Sequence, residues 1–206
     1  HIQATLAAQS RVLATAGITS SIGAGTILYD DDMLSPGGGW INDGSQCYFS
    51  PDGYHVRLYA PYKAAWCYSN QQQYSNVVIT AQAQLIRGDI YGLVFRLSPA
   101  SREFYVLEIN SQGDYRFVRA WGNNPLNWLT LIDWTHSNAI VSGYGQVNRF
   151  LIEASGSQFS FYVNKQLIVT DFVDAVYTSG LIGFLVGGDS AGGAEAVFSN
   201  VLVFQK

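Results

Sequence analysis

Hydrolysis of a glycosidic bond needs two carboxylates roughly 5 to 9.5 Å apart. On a strand that means positions i and i+2, or neighbours across a ladder. Glu103 and Glu108 are five positions apart and fall on opposite faces of a regular strand, so they make no such pair. Glu108 instead shares its expected face with Arg96 and Arg116, which reads as an ion-paired surface, with Arg96 and Glu108 matched across neighbouring strands. Asp30, Asp32 and Asp189 lie in or beside turn sequence and carry the hard oxygens that suit Ca²⁺; the competing reading is a solvated acidic turn. His1, His55 and His136 have no Gly-x-Ser-x-Gly elbow to partner, and the Gly187 to Gly193 loop lacks the lysine and helix of a phosphate loop. Trp121 and Trp128 stand among Asn123, Asn124 and Asn127, the pairing of indole and amide that stacks and hydrogen-bonds a sugar ring. Trp134, further along, reads as core. Cys47 and Cys67 read as a disulfide of an oxidising compartment, against the alternative of two buried thiols.

Strands must position these groups. From Gly88 to Ala120 three alternating runs are divided by Ser98-Pro99-Ala100-Ser101 and Ser111-Gln112-Gly113-Asp114. Tyr91, Leu93, Phe95 and Leu97 share one face of the first run. Tyr105, Leu107 and Ile109 share one face of the second, and Tyr115 and Phe117 of the third. The turns and the period of two predict an antiparallel meander with an aromatic face and a second face bearing Arg96, Glu108 and Arg116.

The flanking chain extends the pattern. Pro51-Asp52-Gly53 predicts a hairpin turn leading to Tyr54, Val56 and Leu58 on one face. Residues 60–75 read as an irregular loop, residues 77–87 as a long strand, and residues 121–143 as a long connection with a short strand from Trp128 to Leu131. Asn164-Lys165 predicts a two-residue hairpin. Residues 1–28 differ: they hold one charged side chain, Arg11, with Ile2, Leu6, Gln9 and Leu13 at helical spacing and glycines in the second half. They read as an arm or stalk before a domain over residues 29–206. The start at His1 is expected to reflect processing or a longer parent.

The chain of 206 residues has a net charge of −4 and no basic block, which argues against a nucleic-acid footprint. Aromatic residues make up 14% and charged residues 13%, a balance that suits a β-sandwich. No apolar run reaches the length of a transmembrane helix.

Several stretches carry a resemblance: Trp40, Cys47 to Val56, Gly88 to Arg96, Phe104 to Asn110, Gly113 to Tyr115, Asn148 to Ile152, Tyr162 to Asn164, Ser179 to Gly183 and Val197 to Val201. Together they resemble the concanavalin A-like lectin/glucanase-type sandwich, and within it the extracytoplasmic domains of serine/threonine kinases from Chloroflexota-type bacteria. The resemblance implies an all-β, antiparallel two-sheet sandwich of jelly-roll, concanavalin A-like type with an N-terminal extension, extracellular or on a cell surface. The expected function is a non-catalytic binding module for carbohydrate or another cell-surface ligand, with Arg96, Glu108, Arg116, Trp121 and Trp128 at the site. Two alternatives stand beside it: a surface-filament subunit that self-associates through residues 1–28, and a glycoside hydrolase with unassigned acids. No cofactor beyond a structural Ca²⁺ is expected.

Overall fold

The computed structural model describes residues 25–60, 63–122, 124, 126, 128–188 and 193–206. In chain order the described strands are β1 (Ile27–Asp31), β2 (Cys47–Ser50), β3 (Gly53–Leu58), β4 (Lys63–Tyr68), β5 (Val77–Arg87), β6 (Ile90–Ser98), β7 (Glu103–Asn110), β8 (Asp114–Ala120), β9 (Leu129–His136), β10 (Val147–Ser155), β11 (Gln158–Val163), β12 (Gln166–Val173), β13 (Leu181–Gly188) and β14 (Ala194–Gln205). They form two antiparallel sheets. The first has the order β12-β11-β10-β5-β14-β3-β2, with β1 also pairing with β14. The second has the order β4-β13-β6-β7-β8-β9.

The meander from Gly88 to Ala120 is the centre of the second sheet, with Leu93 opposite Leu107 and Leu107 opposite Phe117. The inner faces of the two sheets close on one core. At one end Phe95, Tyr105 and Phe117 of the second sheet meet Phe159 and Phe161 of the first, with ring centroids 4.7–6.4 Å apart. At the other end Trp40 stacks on Phe184, and Phe184 on Phe198. Edge-to-face and offset rings at such separations add to the burial of their area.

Residues 60–75 are not the irregular loop expected from the sequence. Lys63–Tyr68 is an edge strand whose alternation sends Ala65 and Cys67 into the core and Ala64, Trp66 and Tyr68 to the other side. The Gln run and the aromatic density hid that alternation. Cys67 is bonded to Cys47 with Cα atoms 5.9 Å apart, so the disulfide ties β4 of the second sheet to β2 of the first.

The strand from Trp128 is also longer than expected, running over Leu129–His136 as the far edge of the second sheet. The arm reading of residues 1–28 falls mostly outside the described residues. Its last part does not: β1 begins at Ile27 and pairs with the C-terminal half of β14.

Candidate functional site

The site follows from the register of the second sheet. Trp66, Leu185, Gly92, Glu108 and Arg116 oppose one another in turn across β4, β13, β6, β7 and β8. The next row is Tyr68, Gly183, Val94, Val106, Val118 and Thr130. Val94, Leu97, Phe104, Val106, Val118, Ala120, Leu181 and Leu185 make a second apolar cluster on this outer face, separate from the core between the sheets. The expected polar face is therefore mostly aliphatic. A strand buried on both sides reads as a near-continuous apolar run, which describes Gly92 to Leu97 and Phe104 to Leu107.

Aromatic side chains from both edges close over one end of it. Trp66 comes from β4, and Trp128 from the segment before β9. Their ring centroids lie 6.0 Å apart, and each packs on Phe104, at 5.4 and 5.2 Å. The Trp128 indole N–H donates to the carbonyl of Trp121 at 3.0 Å. Trp121 is 42% exposed and Leu126 86% exposed, and Leu129 and Asn124 are exposed as well.

Glu108 sits in this face at 1% exposure. Its Oε2 accepts from Nε of Arg116. Burial pushes its carboxyl above the ordinary range, and the charge and hydrogen bond of Arg116 pull against that. The Arg116 guanidinium lies 4.6 Å over the ring of Trp134, whose side chain is half-buried. Trp134 is thus not core, and its position beside Arg116 adds a second indole to the β9 edge. The remaining guanidinium nitrogens of Arg116 have no partner among the described residues.

Arg96 does not belong to this group. Gly92, not Arg96, opposes Glu108. Arg96 has φ +53, and the pairing of β6 with β7 slips between Phe95 and Ser98. That bulge interrupts the alternation. Leu97 joins Val94 on the outer face, and the Arg96 side chain leaves it. Arg96 donates to the carbonyls of Tyr177 (2.7 Å), Ser75 (3.1 Å) and Gly156 (2.6 Å) and lies 4.8 Å over Phe159. It is buried, and desolvation lowers its pKa. Its part is to hold three loops at one end of the sandwich. Nothing in the residue types marks the bulge, because they are those of an uninterrupted strand.

The acidic turn is occupied with its own backbone. Asp31 accepts from the Tyr29 hydroxyl at 2.5 Å and from Met33 N at 2.7 Å, and Asp32 accepts from Leu34 N at 3.0 Å. Asp30 opposes Leu202 on β14. Asp189 lies outside the described residues, as do Asn123 and Asn127. Among the described residues no cluster of three or more His, Cys, Asp or Glu side chains could hold a metal ion.

A polar cluster that the sequence reading missed lies on the first sheet. Glu195 of β14 accepts from the Tyr48 hydroxyl (2.6 Å), Nδ1 of His55 (3.0 Å) and Arg57 (2.7 Å) at Oε1, and from Nε of Arg87 (3.4 Å) at Oε2. His55 also meets Asp52 at 3.0 Å and stacks on Tyr48. The donors hold Glu195 down at about 2 against burial, which is the larger single influence. Glu195 is 140 positions from His55, so only the pairing of β14 with β3 brings them together.

No protein-family model matches the sequence, and no curated protein is similar to it. Solved structures do share the fold. The carbohydrate binding module CBM66 from Bacillus subtilis superposes with a TM-score of 0.66 at 19% identity, over 81% of this chain and 96% of that one. A Bacillus subtilis protein with a galectin-like fold gives 0.61 at 14% identity, over 88% and 96%. The Bacillus licheniformis beta-glucanase gives 0.56 at 11% identity, over 89% and 100%. These likenesses define the class: an antiparallel β-sandwich of the galectin-like and concanavalin A-like type, spanning nearly the full length of each of those proteins.

Proposed function

We propose that the protein is a non-catalytic carbohydrate-binding module displayed outside the cell on a bacterial surface, the setting that its resemblance to extracytoplasmic kinase domains implies. One observation carries the reading. A buried Glu108–Arg116 pair stands in an otherwise apolar sheet face flanked by Trp66 and Trp128 on Phe104 and by Trp134 under the Arg116 guanidinium, with Trp121 42% exposed. An exposed indole gives a sugar ring an apolar plane to stack on. The unpartnered donors of Arg116, with Glu108 fixing its orientation, suit the hydroxyls. The disulfide agrees with an oxidising compartment, and no described helix is long and apolar enough to cross a membrane.

Hydrolysis is a poorer fit. Asp114 is a diagonal neighbour of Glu108 on β8, and the hydrogen bonds of Asn110 and His136 hold it below its ordinary range. A lowered acid beside a raised one is a catalytic pattern, but Glu108 is too deeply covered to reach a substrate. Incubation with a polysaccharide panel separates the two readings. Retention on a polysaccharide without release of reducing ends is expected. Release of sugar that is lost in Glu108→Gln would replace binding with hydrolysis.

A further inference from the structure

Which sugars the second sheet would accept depends on the charges around Arg116. Its Nε is taken by Glu108, and its guanidinium lies over Trp134. Asp114 stands two positions earlier on β8. The β7–β8 ladder is in register here, with Glu108 opposite Arg116 and Ile109 opposite Tyr115. Asp114 therefore shares the face of Arg116, about 7 Å away along the strand. Its Oδ2 accepts from the Asn110 amide at 2.9 Å, and its Oδ1 meets Nδ1 of His136 at 3.0 Å. The hydrogen bonds of Asn110 and then His136 hold its carboxyl below the ordinary range, so it stays ionised. Asp133, exposed on β9, precedes Trp134 and accepts from Trp134 N at 2.8 Å.

Three carboxylates thus border two basic groups, and the surroundings are negative whichever protonation state His136 holds. Among the described residues of β6, β7, β8 and β9, no other cation faces this region. Arg96 is engaged with the carbonyls of three loops, and Arg119 with Asp174 at 2.6 Å. The segment from Trp121 to Trp128 has no charged side chain.

Arg116 does little to offset this for an incoming anion. Burial pushes the Glu108 carboxyl up even with Arg116 beside it. A second anion on the same guanidinium would withdraw part of that compensation. A hydroxyl avoids the conflict. It accepts from the remaining N–H groups of Arg116 and donates onward to Asp114, whose oxygens keep lone pairs beyond those used by Asn110 and His136. A ligand carboxylate can only accept.

We propose that this face selects uncharged sugars and that Asp114 is the residue that rejects acidic ones. The inference rests on the glycan reading and adds to it the charge class of the ligand.

The test uses three forms of one polysaccharide that the protein binds: the neutral parent, the polymer with its primary hydroxyls oxidised to carboxylates, and the methyl ester of that oxidised polymer. Isothermal titration calorimetry at low salt is expected to show parent and ester binding alike, and the carboxylate form binding about tenfold or more weakly. The ester restores neutrality without restoring the hydroxyl, so the gap between ester and carboxylate reads charge. That gap should shrink at high salt and in Asp114→Asn. Asp30→Asn, which removes the same charge from β1 of the first sheet, should leave it in place. A carboxylate form that binds as tightly as its ester would overturn the proposal. So would a gap that persists in Asp114→Asn, or one in wild type that high salt leaves unchanged. Binding confined to uronate-containing polysaccharides would overturn it while leaving the glycan reading in place. No binding to any polysaccharide would overturn the glycan reading itself, and this inference with it.

Discussion

Two buried glutamates, one on the outer face of each sheet, have opposite fates. Glu195 and Glu108 both lose water, and for both desolvation is the largest influence on the carboxyl. Glu195 gathers four donors from β2, β3 and β5 and is held at about 2. Glu108 has Arg116 alone and is pushed above its ordinary range. Burial sets the cost, and the number of donors decides whether it is offset. The first arrangement is a structural joint of β2, β3 and β14. The second leaves a single ion pair in an apolar face, as a binding surface does when its polar groups await a ligand.

Glu195→Gln is the strongest way to break this comparison. It leaves Arg57 and His55 without their shared acceptor, so a loss of about 3 kcal/mol or more is expected in chemical denaturation. Acid should act in the same direction. A carboxyl held below its unfolded value contributes stability that is complete above the unfolded pKa and is lost as pH falls through the folded one. For Glu195 the window runs from 4.5 down to about 2, and the contribution lost is on the order of 3 kcal/mol. A flat acid limb in wild type that matches the Gln variant would contradict the assignment.

Reduction of Cys47–Cys67 comes next, at about 3 kcal/mol for a loop of this length. It unties β2 from β4 and so loosens both sheets, but it should leave the Glu195→Gln penalty in place. Denaturation curves with and without reductant check both points.

Arg96→Lys sharpens the comparison from the cationic side. A lysine cannot reach the carbonyls of Tyr177, Ser75 and Gly156 together, and a loss of about 2 kcal/mol is expected.

Glu108→Gln should cost least, within about 1 kcal/mol of wild type, because it removes a charge the face holds reluctantly and leaves Arg116 half-exposed. Its pH effect has the opposite sign. A carboxyl raised above its unfolded value weakens the fold as pH rises between the two values, so the Gln variant should gain on wild type as pH is raised through the folded pKa. A Gln variant that instead loses ground to wild type as pH rises would put Glu108 in the same class as Glu195.

The sandwich was legible because alternation over Gly88 to Ala120 is strong and its turns are marked by Ser-Pro and Gln-Gly-Asp. Glu108, Arg116, Trp121 and Trp128 were read onto one side of the second sheet, and the structure does bring Glu108 to Arg116 and Trp128 to Trp121. Arg96 was misplaced because a one-residue bulge resets a period of two without changing composition. Trp66 was lost with β4, whose small alanines give little contrast between faces. Tyr48, His55, Arg57 and Glu195 were out of reach for another reason. Nothing local distinguishes them, and only the non-local pairing of β3 with β14 makes them a cluster.

Affinity electrophoresis through gels cast with individual polysaccharides tests the central claim most directly. Wild-type protein should be retarded by at least one polysaccharide. Trp121→Ala and Arg116→Ala should migrate as in an empty gel. Tyr59→Ala, at the exposed edge of the Glu195 network, should remain retarded like wild type. Retardation that survives loss of Trp121 and Arg116, or none in any polysaccharide for the folded protein, would contradict a glycan site on the second sheet.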